Sequence, residues 1–369
     1  MAFLPMRDAI IRGILLAGVC AMLASATPVG NAQEVESVYG PLPVFEFHSG
    51  FWVNLHHFLY HEAKARESTK DVTAQTTKPG GPVMKDAPGA RNPLTAAEQK
   101  AWNDALSYYL ANYVHKDLVV NIDLTLLKNQ LGDFEDCNEL TGRKMRACDA
   151  GLPGNIGAIL EAAAPVYRAH WWADHDRANR RWVHRVAPLV REQGVGLSQR
   201  LADIYQARWP KEKIRVEVCA FANSAGAYTT LDPLRVTIAS NDPRNQDTEA
   251  LEVLFHEASH DIARGVEATI ARECRQREKP IPRNLWHALI IFTTGEVIRP
   301  VIQEAADRSD GDIIVPKRPD PMPVPYVLRE QLSQRGWEEY LRILTVYWEP
   351  YLEGKDTYDD AIAHVVSAI

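Results

Sequence analysis

One stretch of the chain, from Asp247 to Gly265, reads DTEALEVLFHEASHDIARG and decides how the region around it folds. Its apolar side chains recur at the three- and four-residue spacing that places them on one face of an α-helix. They are Leu251, Leu254, Phe255, Ala258 and Ile262. An acidic residue precedes them and a glycine follows, as is typical of the two ends of a helix. The pattern therefore predicts an amphipathic helix that begins near Asp247 and ends at Gly265.

Within this helix, the sequence His256-Glu257-Ala258-Ser259-His260 places two imidazoles one turn apart on the same face. Histidines at this spacing can bind one zinc ion. A carboxylate beside them can accept a proton from zinc-bound water and pass it to a leaving amine. We therefore predict that His256 and His260 bind Zn²⁺ and that Glu257 is a catalytic base. The alternative is two partly exposed histidines that share a polar helix face by coincidence.

Two short segments before this helix, residues 214–220 and 235–240, are rich in β-branched residues and predict two adjacent strands. Turn-forming residues are frequent between them, in residues 223–233. The second segment is either an open strand along which an extended peptide binds or an ordinary strand of the sheet. A further helix is expected from about Asn284 to Arg299.

A strand with Ile238-Ala239-Ser240, the helix with the two histidines, and a later helix with Thr294-Gly295-Glu296 together resemble the zincin metallopeptidases of the gluzincin type. The resemblance covers residues 214–304. It implies a strand along a cleft, two histidine ligands and a base on the first helix, and Glu296 as the third zinc ligand. The metzincin pattern is absent, because Ala263 and Val266 occupy the positions of its glycine and third histidine.

Distance from the two histidines also favours Glu296 as the third zinc ligand over two carboxylates that are nearer in the sequence. Glu267 would lie about 10 Å further along the axis if the first helix continued, and Glu273 leaves too few residues for a returning helix. Gly295 permits close helix packing beside Glu296, and Pro300 should bend or end the helix there. The alternative is that Glu296 is a buried, paired structural carboxylate.

Three side chains are candidates for stabilising the oxyanion of a tetrahedral intermediate, namely His287, Tyr228 and Tyr326. His287 precedes Glu296 by nine residues, which on one continuous helix is the opposite face. His287 therefore serves beside Glu296 only if the helix begins later or bends.

The residues before 210 are expected to be mostly helical. Thr95 and Glu98 form a capping box ahead of one helix, and another is expected from Leu124 to Leu131. A break is expected near two glycines, Gly194 and Gly196.

A second group of histidines lies near the start of this region among aromatic residues, and its members are His48, His56, His57 and His61. Such surroundings are typical of a packing edge. The alternative is a second metal or haem site.

The amino-acid composition limits the classes of protein to which this chain can belong. The chain has 369 residues, of which 46% are hydrophobic and 24% charged, with a net charge of −7. These values are ordinary for a globular protein and exclude a disordered or polytopic membrane chain. The negative charge and the lack of a long Lys/Arg run exclude nonspecific nucleic-acid binding as a function.

Residues 1–32 are typical of a cleaved export signal. Arg7 and Arg12 precede an apolar stretch from Ile14 to Leu23 that is too short to span a bilayer, and small residues follow it. We therefore expect a periplasmic or secreted protein with no stable membrane anchor after cleavage.

Four cysteines remain after such a cleavage, namely Cys137, Cys148, Cys219 and Cys274. Cys137 and Cys148 flank a short polar loop, so this pair is the favoured disulfide.

Together these patterns predict a mostly helical α+β protein. Residues 33–210 are expected to form a helical region, and residues 211–369 a zincin-like, metal-binding catalytic region with a small sheet. The favoured interpretation is an exported, zinc-dependent hydrolase that acts on peptides or proteins. The alternatives are an exported zinc-binding or scaffold protein without turnover, and a zinc hydrolase of non-peptide substrates.

The export signal can be tested by mass spectrometry of the exported protein. We expect its first residue to be close to Gln33, because the small residues that precede this position suit a signal peptidase. Retention of Met1 in exported material would contradict this prediction.

Overall fold

A four-stranded mixed sheet lies between two layers of helices in the computed structural model, which describes residues 42–74, 93–141, 151–308 and 337–369. The strands are β1 (Phe45–His48), β2 (Ile214–Cys219), β3 (Ala227–Leu231) and β4 (Leu234–Ala239), in the order β1-β2-β4-β3. β1 is parallel to β2 and β2 to β4, whereas β3 is antiparallel to β4 and forms an edge of the sheet. The predicted mostly helical α+β class is confirmed.

β2 and β4 coincide with the two predicted strands and pair directly. β4 lies between β2 and β3, so residues 235–240 form an ordinary inner strand and not an open one. Next to β4, the edge strand of the described sheet is β3, which was not predicted because it lies within the turn-rich residues 223–233. Its sequence, Ala-Tyr-Thr-Thr-Leu, is nevertheless rich in residues that favour strands.

The helices of the described ranges are α1 (Phe51–Ala74), α2 (Ala96–Asn112), α3 (Ile122–Asp133), α4 (Ile156–Tyr167), α5 (Ala173–Ile204), α6 (Asp247–Ile262), α7 (Arg264–Gln276), α8 (Leu285–Arg308), α9 (Glu338–Tyr347), α10 (Glu349–Leu352) and α11 (Tyr358–Ala368). A π-helical turn, Arg168–Trp172, joins α4 to α5. The predicted capping box of Thr95 and Glu98 is present at the start of α2. α6 ends at Ile262, and α7 begins so soon afterwards that Gly265 lies inside it.

α5 runs without interruption through Gly194 and Gly196, where a break was predicted. A Cβ atom at Gly194 would lie 3.1 Å from Cγ2 of Val44, in the segment just before β1. Glycine therefore permits a close approach between α5 and that segment. Packing of this kind offsets the roughly 1 kcal/mol that glycine costs inside a helix.

One face of the sheet is apolar and packs against α5 and α6. The rings of Phe45 and Phe255 are 5.2 Å apart, and those of Phe47 and Trp182 are 5.6 Å apart. β1 and α5, which precede residue 210, therefore share a core with the elements that follow it.

The opposite face of the sheet carries charged side chains that are buried under the N-terminal helices. Arg215 pairs with Glu135 and with the fully buried Glu217, which lies 2.6 Å from the Arg215 Nε atom. His48 Nδ1 lies 2.7 Å from an oxygen of the same Glu135. Each buried charge on this face thus has a partner of opposite sign, as burial requires.

This charged face holds the C-terminal end of α3. Arg215 donates to the carbonyl oxygen of Gly132 (2.9 Å) and Arg235 to that of Asn129 (2.8 Å). A Cβ atom at Gly132 would lie 2.5 Å from Glu217 Oε1, so only glycine permits this approach. Cations at the carboxyl end of a helix are favourable because its carbonyl groups carry partial negative charge. α3 is therefore fixed in place against the sheet.

Part of α8, Leu285–Glu304, is long and apolar enough to cross a membrane by length and composition alone. In the structure most of this stretch is buried inside the fold, as in the core helix of a globular domain.

The described cysteines differ in state. Cys137 is disulfide-bonded, whereas Cys219 and Cys274 are free and buried. Cys148 lies outside the described residues, as do the expected signal, residues 1–32, and Tyr326.

Trp182 should be a main contributor to stability. It is fully buried on α5, packs against Phe47, and donates from its indole nitrogen to the carbonyl oxygen of Asn245 (2.5 Å). We expect Trp182→Ala to lower the free energy of unfolding by about 3–5 kcal/mol, measured by urea denaturation followed by circular dichroism.

Val195→Ala is the matched control, since Val195 is on the same helix and is 57% exposed. It should change stability by less than about 0.5 kcal/mol. Equal effects of the two substitutions would show that α5 does not pack as described.

Candidate metal centre

Two helices bring three imidazoles together. His256 and His260 lie one turn apart on α6, and His287 lies in the first turn of α8. One potential ligand atom from each side chain lies within 4.8 Å of the other two, and the Nε2 atoms of His256 and His287 are 3.3 Å apart. Among the described residues, these three side chains form the group whose donor atoms converge in this way.

Two indole rings pack around the three imidazoles. Trp286 stacks on His287 with ring centroids 5.1 Å apart, and it also meets the edge of His260 at 5.7 Å. Trp337 contacts His287 at 5.7 Å in an edge-on arrangement. Packing on several sides restricts the side-chain rotamers, so the nitrogens are held close to the positions in which they would bind an ion.

The three imidazole side chains provide nitrogen ligands of a kind that metal ions bind. Imidazole nitrogen is a ligand for divalent transition metals, and it binds them in its neutral form. Burial lowers the pKa of His260 to about 4, so this ring is neutral near pH 7. Three converging imidazoles on two packed helices can therefore hold one metal ion.

Glu257 lies beside the three histidines. Its Oε2 atom is 4.0 Å from His260 Nε2 and 2.7 Å from the hydroxyl oxygen of Thr229, which donates to it. Burial raises the pKa of Glu257 to about 7, and the hydrogen bond from Thr229 opposes this rise. A carboxyl group with such a pKa can both accept and donate a proton near neutral pH.

Thr229 reaches Glu257 because of its place on the edge strand. Side chains alternate along a strand, and Thr229 lies on the face of β3 that packs against α6. Its hydroxyl oxygen is also 2.8 Å from the backbone carbonyl oxygen of Glu257. Thr229 was not among the predicted site residues, because the turn residues around β3 hid its strand character.

The structure does not bring Glu296 to the three histidines. Its carboxylate pairs with Arg299 on the next turn of α8, and burial raises its pKa to about 7 despite this partner. α8 begins at Leu285 and continues past Pro300. On such a helix Glu296 lies about 13 Å beyond His287 and on the opposite face. His287, expected as an oxyanion donor, thus occupies the place assigned to Glu296.

The spacing of His287 and Glu296 narrowed the choice of third ligand to one of the two without deciding it. Only one of His287 and Glu296 can face α6, since nine residues correspond to two and a half helical turns. The resemblance to gluzincins selected the glutamate, whereas the packing of α8 against α6 presents the histidine.

Tyr228, a second candidate oxyanion donor, is directed away from the histidines. It is next to Thr229 on β3 and therefore points to the opposite face of the sheet. His57 donates from Nδ1 to the carbonyl oxygen of Val53, so its Nε2 atom accepts the hydrogen bond from the Tyr228 hydroxyl (2.8 Å). Tyr228 thus ties β3 to the N-terminal helices, which is a structural role.

The N-terminal histidines pack as the sequence indicated. His56 is hydrogen-bonded to the hydroxyl of Tyr109 at 2.8 Å, and His61 stacks on Phe221 with ring centroids 4.3 Å apart. Their donor atoms do not converge in the way that those of the three metal-centre histidines do.

A cleft of about 850 Å³ opens onto the metal centre. His256, Glu257, His260 and His287 line it together with both faces of β3. One further wall comes from α3 and the segment just before it, which include Val120, Ile122 and Leu126. The cleft therefore lies between the N-terminal helices and the metal centre, with an open strand edge along it.

No protein-family model, no curated protein and no solved structure matches this chain.

The ligand set can be tested by substitution. We expect His287→Ala to weaken the binding of Zn²⁺ by more than about 100-fold, since loss of a ligand should exceed the roughly 10- to 100-fold effect of losing a ligand's hydrogen-bond partner. The measurement is a titration against a competing chelator.

Glu296→Gln is the control, because it keeps the shape of the side chain and removes its charge. It should leave the affinity for Zn²⁺ unchanged. If Glu296→Gln weakened binding and His287→Ala did not, Glu296 would be the ligand and α8 would pack differently.

Proposed function

We propose that this protein is a zinc-dependent hydrolase that cleaves peptide bonds, with His256, His260 and His287 as the zinc ligands and Glu257 as the general base. The observation that carries the proposal is the convergence of three imidazole nitrogens beside a buried carboxyl group on the wall of an open cleft.

A zinc ion fits the closest pair of these nitrogens. Tetrahedral zinc binds imidazole nitrogens at about 2.0–2.1 Å, which places two such ligands roughly 3.3–3.4 Å apart. His256 Nε2 and His287 Nε2 are separated by 3.3 Å. Three protein ligands leave a fourth position open, as in catalytic zinc sites. Zinc bound there would polarise a substrate carbonyl and increase the acidity of a water molecule.

Glu257 would move the proton in this reaction. As a carboxylate it accepts a proton from the attacking water, and as a carboxylic acid it returns that proton to the leaving amine. Thr229 is a positioning residue, because its hydroxyl oxygen lies 2.7 Å from the carboxylate of Glu257 and 2.8 Å from its backbone carbonyl oxygen, and its single proton can be donated to either. β3 and the proposed base are thereby joined directly.

The edge of β3 supports a peptide as the substrate. Among the described strands, β3 is paired on one side only, with β4. The unpaired backbone groups of an edge strand can bind an extended peptide through main-chain hydrogen bonds. All five residues of β3 line the cleft that holds the histidines, so a peptide bound to this edge would lie beside the metal centre.

We also propose that the protein is a zincin in the broad sense and that it is exported. The helix with two histidines and a glutamate, packed beside an antiparallel edge strand, supports the first proposal. A histidine as third ligand would distinguish it from the gluzincin type. The disulfide-bonded state of Cys137 is consistent with an oxidising compartment and supports the second.

The role of Glu257 can be tested with Glu257→Gln. The amide keeps the shape of the side chain but cannot accept the proton, so we expect kcat/KM to fall by about 100- to 10,000-fold while zinc remains bound. The assay measures chelator-sensitive cleavage of a mixed peptide library, with zinc content determined by elemental analysis.

Glu267→Gln, the same change at an exposed position on α7, should have no effect. Activity of Glu257→Gln within about tenfold of the parent would exclude Glu257 as the base. Bound zinc without any cleavage of peptides would favour a metal-binding scaffold instead.

A further inference from the structure

Large apolar side chains are exposed in the cleft, three of them on the wall formed by α3 and the segment just before it. Val120 is 81% exposed, Ile122 is 69% exposed and Leu126 is 53% exposed, and Leu231 at the end of β3 is 41% exposed. These four are half of the eight large apolar side chains that are exposed among the described residues. Because all four line the cleft, their exposure is concentrated at the metal centre and not scattered over the surface.

Local helix packing does not account for this exposure. Asn121 caps α3 by accepting a hydrogen bond from the backbone nitrogen of Leu124, so Val120 and Ile122 lie on either side of the cap. An apolar residue just before a helix cap commonly packs onto the first turn, but Val120 remains solvent-exposed. Ile122 and Leu126 are four residues apart and thus share one face of α3.

The fold holds this apolar face at a fixed position beside β3. Arg215 and Arg235 bind the C-terminal carbonyl groups of α3, and the buried Lys128 donates to the hydroxyl oxygen of Thr230 on β3 (2.9 Å). Thr230 belongs to the face of β3 directed away from Glu257, so α3 and the metal centre lie on the two sides of the same edge strand.

We infer that the cleft selects extended peptides that carry a large apolar side chain, which binds against Val120, Ile122 and Leu126 while the peptide backbone pairs with β3. This inference rests on the proposed peptide substrate and names the part of it that is recognised. In a peptide added to β3, successive side chains alternate between the two sides of the strand. The side chains directed toward α3 therefore meet the apolar wall, and those between them are directed toward Glu257.

This geometry has a specific consequence for cleavage. Because one peptide register places the scissile bond at the metal centre, the preference for large apolar residues should occur at defined positions relative to the cleaved bond. Where two such positions are selected, they should be two positions apart in the peptide, with one residue between them.

The test compares the parent protein with Ile122→Gln and Leu126→Gln, which keep helix-forming side chains at exposed positions and should not disturb folding. Val195→Gln is the matched control, since Val195 is an exposed apolar residue on another helix, α5, and does not line the cleft. Each zinc-loaded protein is incubated with a mixed library of synthetic peptides, and the cleaved bonds are identified by mass spectrometry. The same substitutions in a Glu257→Gln background are titrated with fluorescently labelled apolar and polar peptides.

We expect the parent to cleave at a fixed distance from large apolar residues. Each α3 substitution should lower kcat/KM for such peptides by roughly tenfold or more and weaken their binding in the Glu257→Gln background to a similar extent, while Val195→Gln changes neither. Chelator-sensitive cleavage without an apolar preference, or cleavage unaffected by the α3 substitutions, would overturn this inference and leave the proposed function intact.

Absence of cleavage with selective binding of apolar peptides, lost in the α3 variants, would overturn the proposed hydrolase and retain the inferred binding surface. Absence of both cleavage and binding would overturn both proposals.

Discussion

The first turn of α8 packs against the histidine-bearing turns of α6, and the side chains that meet there are the imidazoles of His256, His260 and His287. This contact sets which residues can share a metal ion. It also orients the rest of the centre, since Trp286 belongs to the same turn of α8 and stacks on His287. At any one position along its axis, a helix presents only a few residues to a neighbouring helix. Once His287 occupies that place, Glu296 is left on the far side of α8 with Arg299.

The sheet separates two different environments, and the site depends on both. Its apolar face anchors α6 through contacts such as Phe45 with Phe255, which places the metal centre. Its other face carries paired charges that hold α3, and α3 forms the apolar wall of the cleft. β3 contributes to both sides, because Thr229 contacts Glu257 while its neighbour Tyr228 binds His57. The N-terminal helices and the metal centre thus meet along a single open strand.

The burial that shapes this centre has a chemical consequence. Removing Glu257 from water raises its pKa, and removing His260 from water lowers its pKa. Both shifts favour the neutral form, as burial in a medium of low polarity does for any ionisable group. A metal ion with a positive charge would stabilise the carboxylate beside it and replace part of the lost hydration.

Much of the fold followed from local patterns. The apolar spacing around Leu254 predicted α6, the β-branched segments predicted β2 and β4, and Thr95 with Glu98 predicted the start of α2. These features depend on residues near one another in the chain, for which side-chain periodicity and capping are sufficient. β3 was not predicted, because turn residues on both sides obscured a short strand. The break expected at Gly194 is absent, because that glycine serves a contact with a distant segment.

The sequence by itself determined that His256, Glu257 and His260 share one helical region, since their spacing alone brings them together on α6. Only the tertiary structure decided that His287 joins them, that Glu296 does not, and that Thr229 and the apolar face of α3 complete the cleft. The physical reason is that each of these contacts joins segments separated by tens to more than a hundred residues. Whether two such segments meet depends on the direction in which the helices and strands pack against one another. Helical periodicity limits which residues of a helix can face a neighbouring element, but it does not determine which of them make the contact.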